Sequence, residues 1–123
     1  PDVTVIGVEP AGAPKMSKSL AAGHPVTLDQ VSSIADGLIP VRPGELTFAH
    51  VRRYVDEVVT VDDEAIAAAA RWYAERAKLV VETSGAASLA ALQSGVVGVA
   101  AGPTVVVVSG GNVSLDTLHG LSS

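Results

Sequence analysis

Thr104-Val105-Val106-Val107-Val108-Ser109-Gly110-Gly111-Asn112 is the stretch on which the fold turns. Four consecutive valines show no alternation of apolar and polar residues. They predict a strand buried on both faces, as in a parallel sheet covered by helices. A strand that ends in a hydroxyl and two glycines sets a small polar group at the carboxyl edge of the sheet, where open α/β folds bind ligands. The glycines let a ligand approach the backbone, and Asn112 can fix the turn through its side chain. Ser, Gly and Asn also favour turns in general, so an ordinary strand-to-helix turn accounts for the same four residues equally well.

Working outward, Val3 to Val8 is a β-branched run ending at Glu9-Pro10 and reads as another strand buried on both faces. Lys15 to Ala22 before Gly23 has helical composition and a glycine stop. Thr27 to Ile39 has no sustained period and reads as irregular, with Asp36-Gly37 as a turn. A helix opens at Pro43-Gly44-Glu45 and runs to about Val55, its apolar positions Leu46, Val51 and Val55 near one face. Val58 to Val61 is strand-like. Asp62-Asp63-Glu64 then supplies three acids to the start of a helix closed by Arg76 and Lys78, with Ile66, Ala70, Tyr73 and Ala77 on its buried side. Leu79 to Val81 reads as a further buried strand, and Ser84 to Ser94 as an Ala-rich helix closed by Gly95. This alternation implies an α/β fold of three layers, a mainly parallel sheet flanked by helices. Two or three strands are few for such a sheet, so either it is small or further strands belong to sequence outside the chain.

The 123 residues carry 8 basic and 13 acidic side chains, a net charge of -5, no cysteine and four aromatics. The acidic balance and the lack of a Lys/Arg run exclude a nucleic-acid or anionic-membrane surface as the expected partner. Without cysteine there is no disulfide, thiol nucleophile or thiolate metal site. The charge-free stretch from Thr83 to Leu115 is broken by glycines and Pro103, so it reads as helix, loop and strand rather than a membrane span. No leader pattern precedes Val3, which predicts a cytoplasmic protein. Much of the apolar content is 21 Val and 19 Ala, small side chains suited to helices lying close on a sheet.

Two other positions invite chemistry. Glu82 stands between the apolar run Leu79–Val81 and the Ala-rich helix, either as a carboxylate in a cleft or as a stabiliser of the helix N-terminus. Glu9-Pro10-Ala11-Gly12-Ala13-Pro14-Lys15 follows a strand, and one carboxylate with loop carbonyls is either a partial cation site or a solvated loop. His24, His50 and His119 have no zinc-like spacing and read as surface or capping residues.

The ordered succession Gly7-Val8-Glu9-Pro10, Ser19 to Gly23, Ile34 to Leu38, Arg42 to Phe48, Lys78 to Glu82, Gly85-Ala86-Ala87 and Ser109 to Val113 resembles the C-terminal part of threonine dehydratases and the related serine racemases, fold-type II pyridoxal-phosphate enzymes. The match runs across essentially the whole chain. The resemblance implies that Ser109 hydrogen-bonds the pyridine nitrogen of the cofactor, with Gly110, Gly111 and Asn112 as the surrounding turn. It also implies that the backbone of Gly37 borders the ring and that Glu82 lines the pocket beside it. A neutral hydroxyl there leaves the cofactor a weaker electron sink than an aspartate would. Glu9 and the Ala13 carbonyl match a cation site that relatives complete with an acid two positions later. Lys15 holds that place here, so the expectation is that its ammonium takes the cation's charge role near Glu9. Thr83 replaces the proline that usually follows the glutamate in relatives.

Lys15, Lys18 and Lys78 are the only lysines, and none has the context of the cofactor-binding lysine in the resembling enzymes. Their glycine-rich phosphate cradle is absent too. The expectation is therefore that residues 1–123 are the C-terminal portion of a lyase large domain whose N-terminal catalytic half lies upstream, with no catalytic residue in this chain. The resemblance implies, for the complete enzyme, a homo-oligomer that binds pyridoxal 5'-phosphate and eliminates the β-hydroxyl of threonine or serine to give a 2-oxo acid and ammonia. Alone, the chain is expected to be inactive. The alternatives are a non-catalytic α/β interaction module, a racemase or a threonine synthase-like enzyme.

Overall fold

The computed structural model describes residues 3–99 and 101–121. Pro1, Asp2, Ala100, Ser122 and Ser123, including the ends at which the domain limits were read, lie outside the described residues. The elements are strand β1 (Ile6–Pro10), helix α1 (Lys15–Ala22), a 3₁₀ turn (Asp36–Leu38), helix α2 (Glu45–Tyr54), strand β2 (Glu57–Val61), helix α3 (Asp63–Trp72) continued by a π-helical turn (Tyr73–Ala77), helix α4 (Thr83–Gln93) and helix α5 (Leu115–Gly120).

β1 and β2 pair in parallel, from Ile6 opposite Glu57 to Pro10 opposite Val61. Side chains alternate across a strand, so Val8, Val59 and Val61 share one face. That face meets the core, where Ile66, Ala69, Ala70 and Tyr73 of α3 and its continuation pack with Ala86, Leu89 and Ala90 of α4. Glu9 points the other way and meets α1. The architecture is therefore helices, parallel sheet, helices, the expected α/β class. Alanines at the α3–α4 contact let the two helices lie close, which is how a chain short of large side chains still closes a core.

The start of the strongest helix signal is borne out. Asp62 caps α3 by accepting from the Ala65 amide at 2.7 Å, and the helix extension ends at Lys78 in the left-handed region, φ 59°. Gly23 closes α1 in the left-handed conformation that glycine favours. Tyr73, 4% exposed, buries a hydroxyl with no hydrogen-bond partner among the described residues. Burial raises its pKa above the usual tyrosine value. No helix among the described residues is long and apolar enough to cross a membrane.

Several local expectations are corrected. Residues 104–108 form no strand: Val105 is 83% and Val107 71% exposed. A ladder needs a neighbour, and this segment has none among the described residues; a cavity separates it from β1. Leu79–Val81 is likewise not a strand, with only Val81 buried. β1 starts at Ile6 rather than Val3, and Val3 and Val5 are exposed. On α2 the buried residue is Phe48, while Leu46 is 73% exposed. Ala77 is exposed because the wider π turn carries the chain off the α3 stripe.

Candidate functional site

Four consecutive residues at the head of α4 organise the candidate site. Glu82, in the N-cap position, spends its side chain on the turn at 109–112 and makes no cap bond to its own helix. Its Oε2 accepts from the Asn112 amide at 3.2 Å, and its amide donates to the Gly110 carbonyl at 3.3 Å. Gly110 has φ +85°, and a Cβ there would stand 2.4 Å from Glu82 Oε1. The turn therefore needs glycine for its conformation, and a side chain there would displace the Glu82 carboxylate. Thr83 Oγ1 donates to the Ile34 carbonyl at 2.8 Å, a bond that a proline at this position could not make. Ser84 Oγ accepts from the Gly37 amide at 2.8 Å. Gly85 brings α4 so close to the turn that a Cβ would lie 2.2 Å from the Ser109 carbonyl oxygen.

One helix start thus holds two loops that are far apart in sequence. Gly37 is drawn in by Ser84, and the Ser109-Gly110-Gly111-Asn112 turn by Glu82 and Gly85. One turn further along, Ser88 Oγ donates to the Val107 carbonyl at 2.7 Å and secures the segment leading into the turn. Between the loops lies a cavity of ≈ 250 Å³ lined by Leu38, Ser84, Val107 and Ser109 among others. Ser109, Gly110, Gly111, Asn112, Gly37 and Glu82 are thereby brought together. Ser84, Gly85 and Ser88 were not read as site residues. Their signal was small polar or Cβ-less residues on the first turns of an otherwise apolar helix, where loops can dock.

Glu9 and Ala13 sit apart from this group, on the opposite face of the sheet. Glu9 is 6% exposed, and its oxygens accept from the Met16 amide (2.7 Å), the Ser17 amide (2.9 Å) and the Ser17 hydroxyl (2.8 Å). The positive end of α1 satisfies the buried carboxylate. The expected Lys15–Glu9 pairing is not what forms: Lys15 Nζ donates to the Leu38 carbonyl at 2.8 Å. Arg42–Glu45 is the only ion pair among the described residues. The Ala13 carbonyl already accepts from the Lys15 amide, and three of the roughly four lone-pair sites of Glu9 are taken. Among the described residues no three His, Cys, Asp or Glu side chains converge on a metal position.

Residues 1–111 match the family model described as pyridoxal-phosphate dependent enzyme. The chain belongs to that family. L-threonine ammonia-lyase of Geobacter sulfurreducens is 45% identical over 118 residues, covering 96% of this chain and 29% of its own length. A serine racemase of Oryza sativa is 39% identical over 130 residues, covering 96% of this chain and 36% of its own. The processed form of threonine deaminase isoform 2 from Solanum lycopersicum superposes with a TM-score of 0.89 at 33% identity, over 99% of this chain and 34% of that one. The chain spans about a third of the length of the curated relatives it matches.

The residues present fit one side of the family's cofactor. The small cavity beside Ser109 presents a neutral hydroxyl, suited to an uncharged ring nitrogen. Of the three lysines, Lys15 bonds the Leu38 carbonyl, Lys78 bonds the Glu75 carbonyl and Lys18 is exposed on α1; none lines that cavity.

Proposed function

We propose that this chain forms the pyridine-nitrogen side of the cofactor pocket in a pyridoxal-phosphate-dependent ammonia-lyase acting on threonine or serine. The observation that carries the proposal is the convergence of the Ser109 turn and the Gly37 turn on the first turn of α4, supported by a threonine ammonia-lyase 45% identical over the matched region. Ser109 Oγ–H donates to the ring nitrogen and leaves the ring uncharged. The cofactor, when bound, accepts the electron pair left by removal of the substrate α-proton. Because the serine supplies no charge, that delocalisation is moderate, which suits elimination, where the departing β-hydroxyl takes the electrons. Glu82 acts on the backbone of the Ser109 turn through Asn112 and Gly110 and keeps the hydroxyl at its post. Gly37 gives the ring a backbone edge without a side chain. The group that binds the cofactor covalently and moves the α-proton belongs to the rest of the polypeptide, so residues 1–123 are part of a larger catalytic unit and are silent alone.

The test is product analysis on the complete open reading frame, purified with pyridoxal phosphate and given L-threonine or L-serine. A 2-oxo acid and ammonia in equal amounts are expected, with Ser109→Ala lowering kcat and shifting the cofactor absorbance. The 123-residue chain alone should show no turnover above the free-cofactor background. A protein that makes no 2-oxo acid but converts L-serine to its D enantiomer would overturn the lyase reading in favour of a racemase, the reading favoured by the Oryza sativa match.

A further inference from the structure

The first residue of α1 has the wrong charge for its place. Free amides and the macrodipole make a helix start positive, yet α1 opens on Lys15 and has no acid in its first turn. The helix does not need that side chain, because Glu9 satisfies the start through the Met16 and Ser17 amides. The Lys15 ammonium forms no ion pair among the described residues. Its one hydrogen bond, 2.8 Å long and half-buried, goes to the Leu38 carbonyl 23 positions away. Partial burial of an unpaired charge is costly, and residues set against their local rule are expected where function asks for them.

The bond falls where the Gly37 turn has no other anchor. Asp63 accepts from the Ser33 hydroxyl and the Ile34 amide, Thr83 donates to the Ile34 carbonyl, and Ser84 accepts from the Gly37 amide. All of these act at or before Gly37. Just beyond it, the amides of Leu38 and Ile39 bond back into the turn, to the Ala35 and Asp36 carbonyls. From Leu38 to Pro40, Lys15 therefore makes the single hydrogen bond from another element among the described residues. The Leu38 side chain is only half-buried and lines the ≈ 250 Å³ cavity together with Ser84 and Ser109. Gly37 is thus gripped from two directions. α4 holds its amide, and α1, on the opposite face of the sheet, holds the next carbonyl with a charged donor, which bonds more strongly than a neutral one.

We infer that Lys15 is a positioning residue for the cofactor side of the site: its ammonium fixes the Leu38 carbonyl and so sets where the Gly37 backbone edge lies. It touches neither ring nor substrate and acts through the turn alone. The inference rests on the reading of Gly37 as the backbone edge of the ring. On that reading a loosened turn lets the ring tilt about its bond to Ser109. Such a tilt misaligns the reacting bond and slows the chemical step more than it weakens substrate binding.

The test places Lys15→Met, Lys15→Arg and Lys18→Met in the complete open reading frame. Methionine keeps a long, unbranched side chain and drops the charge. In the cofactor-free protein the Gly37 amide should exchange about tenfold faster in Lys15→Met, with the Glu82 and Asn112 amides unchanged. The urea midpoint should hold or rise, since an ill-placed charge leaves the start of α1. Loaded with pyridoxal phosphate, the methionine variant should show a shifted cofactor absorbance and a kcat for L-threonine lowered about tenfold at constant KM. Lys15→Arg keeps a charged donor and should restore exchange, absorbance and kcat. Lys18→Met, exposed on the same helix, should change none of them. Unchanged exchange at Gly37, an arginine variant as impaired as the methionine one, or faster exchange at Gly37 and Asn112 alike with a lower urea midpoint would each overturn the inference. If Gly37 exchange and absorbance respond to Lys15→Met in a protein that makes no 2-oxo acid, the proposed reaction is lost and Lys15 keeps its role; a working lyase whose Gly37 amide is indifferent to Lys15 does the reverse.

Discussion

Gly85→Ala separates local helix preference from tertiary fit. In a free helix the change stabilises by about 1 kcal/mol, because alanine loses less backbone freedom than glycine. Here the new Cβ would stand 2.2 Å from the Ser109 carbonyl oxygen and 3.1 Å from that of Gly110, where ordinary contact begins at 3.4 Å. Both obstacles are backbone, so the turn must withdraw by about 1.2 Å from α4. The Glu82–Gly110 bond at 3.3 Å and the Asn112–Glu82 bond at 3.2 Å have no slack to follow it. The bond from Ser88 to Val107 at 2.7 Å is pulled in the same direction. Losing two or three such bonds at about 1 kcal/mol each outweighs the helix gain and leaves a net loss of about 1–2 kcal/mol. Urea unfolding reads the global effect, and amide exchange at Glu82 and Asn112 the local one, expected to quicken about tenfold. Gly98→Ala is the control, since no atom lies within 4 Å of its Cβ. Unchanged exchange at Glu82 and Asn112 together with a higher urea midpoint in Gly85→Ala would refute the close approach and the turn-holding role of α4.

Ile66 is fully buried between α3 and α4, and Ile66→Ala should cost about 3 kcal/mol in urea or thermal unfolding, at the cavity-forming end of core truncations; a cost under about 1 kcal/mol would mean that the helices collapse onto the space. Tyr73→Phe removes a buried hydroxyl that has no partner among the described residues and should stabilise by about 1 kcal/mol. Its pH dependence has a definite sign. The folded-state pKa is raised, so the unfolded chain ionises first, and the tyrosine chain keeps full stability below about pH 10 and loses it as pH rises through the folded value. The phenylalanine variant should lack that alkaline decline, and parallel stability curves for the two proteins above pH 10 would contradict the burial of the hydroxyl.

The helices were legible because their signals are local. Asp62 before a run of alanines, Gly23 after α1 and the glycine-bearing turn at Asp36-Gly37 act within a few residues, and each stands where the sequence pattern put it. The strands were less legible because a ladder depends on a neighbour. Val105–Val108 has the composition of an interior strand, but hydrophobic pattern carries no information on whether the paired edge is present. The Lys15–Glu9 expectation failed for a related reason. The resemblance set an ammonium where relatives carry an acid beside Glu9, whereas the helix that starts at Lys15 gave Glu9 its own amides and carried the ammonium to Leu38.

The sequence by itself determined the α/β class, the order of the first four helices, and two of the candidate positions: a serine hydroxyl in a glycine turn and a glutamate before an Ala-rich helix, while Gly37 joined them only through the resemblance. The class, the helices and the two positions follow from composition, capping and spacing, which act over short separations. Only the tertiary structure decided that Glu82 grips the 109–112 turn instead of capping its helix, and that Thr83 and Ser84 hold the 34–37 loop. These contacts join residues 28 to 49 positions apart. Such pairings are chosen by the packing of α4 against the sheet, because hydrogen-bonding groups take whichever partners the close approach of small side chains brings within reach.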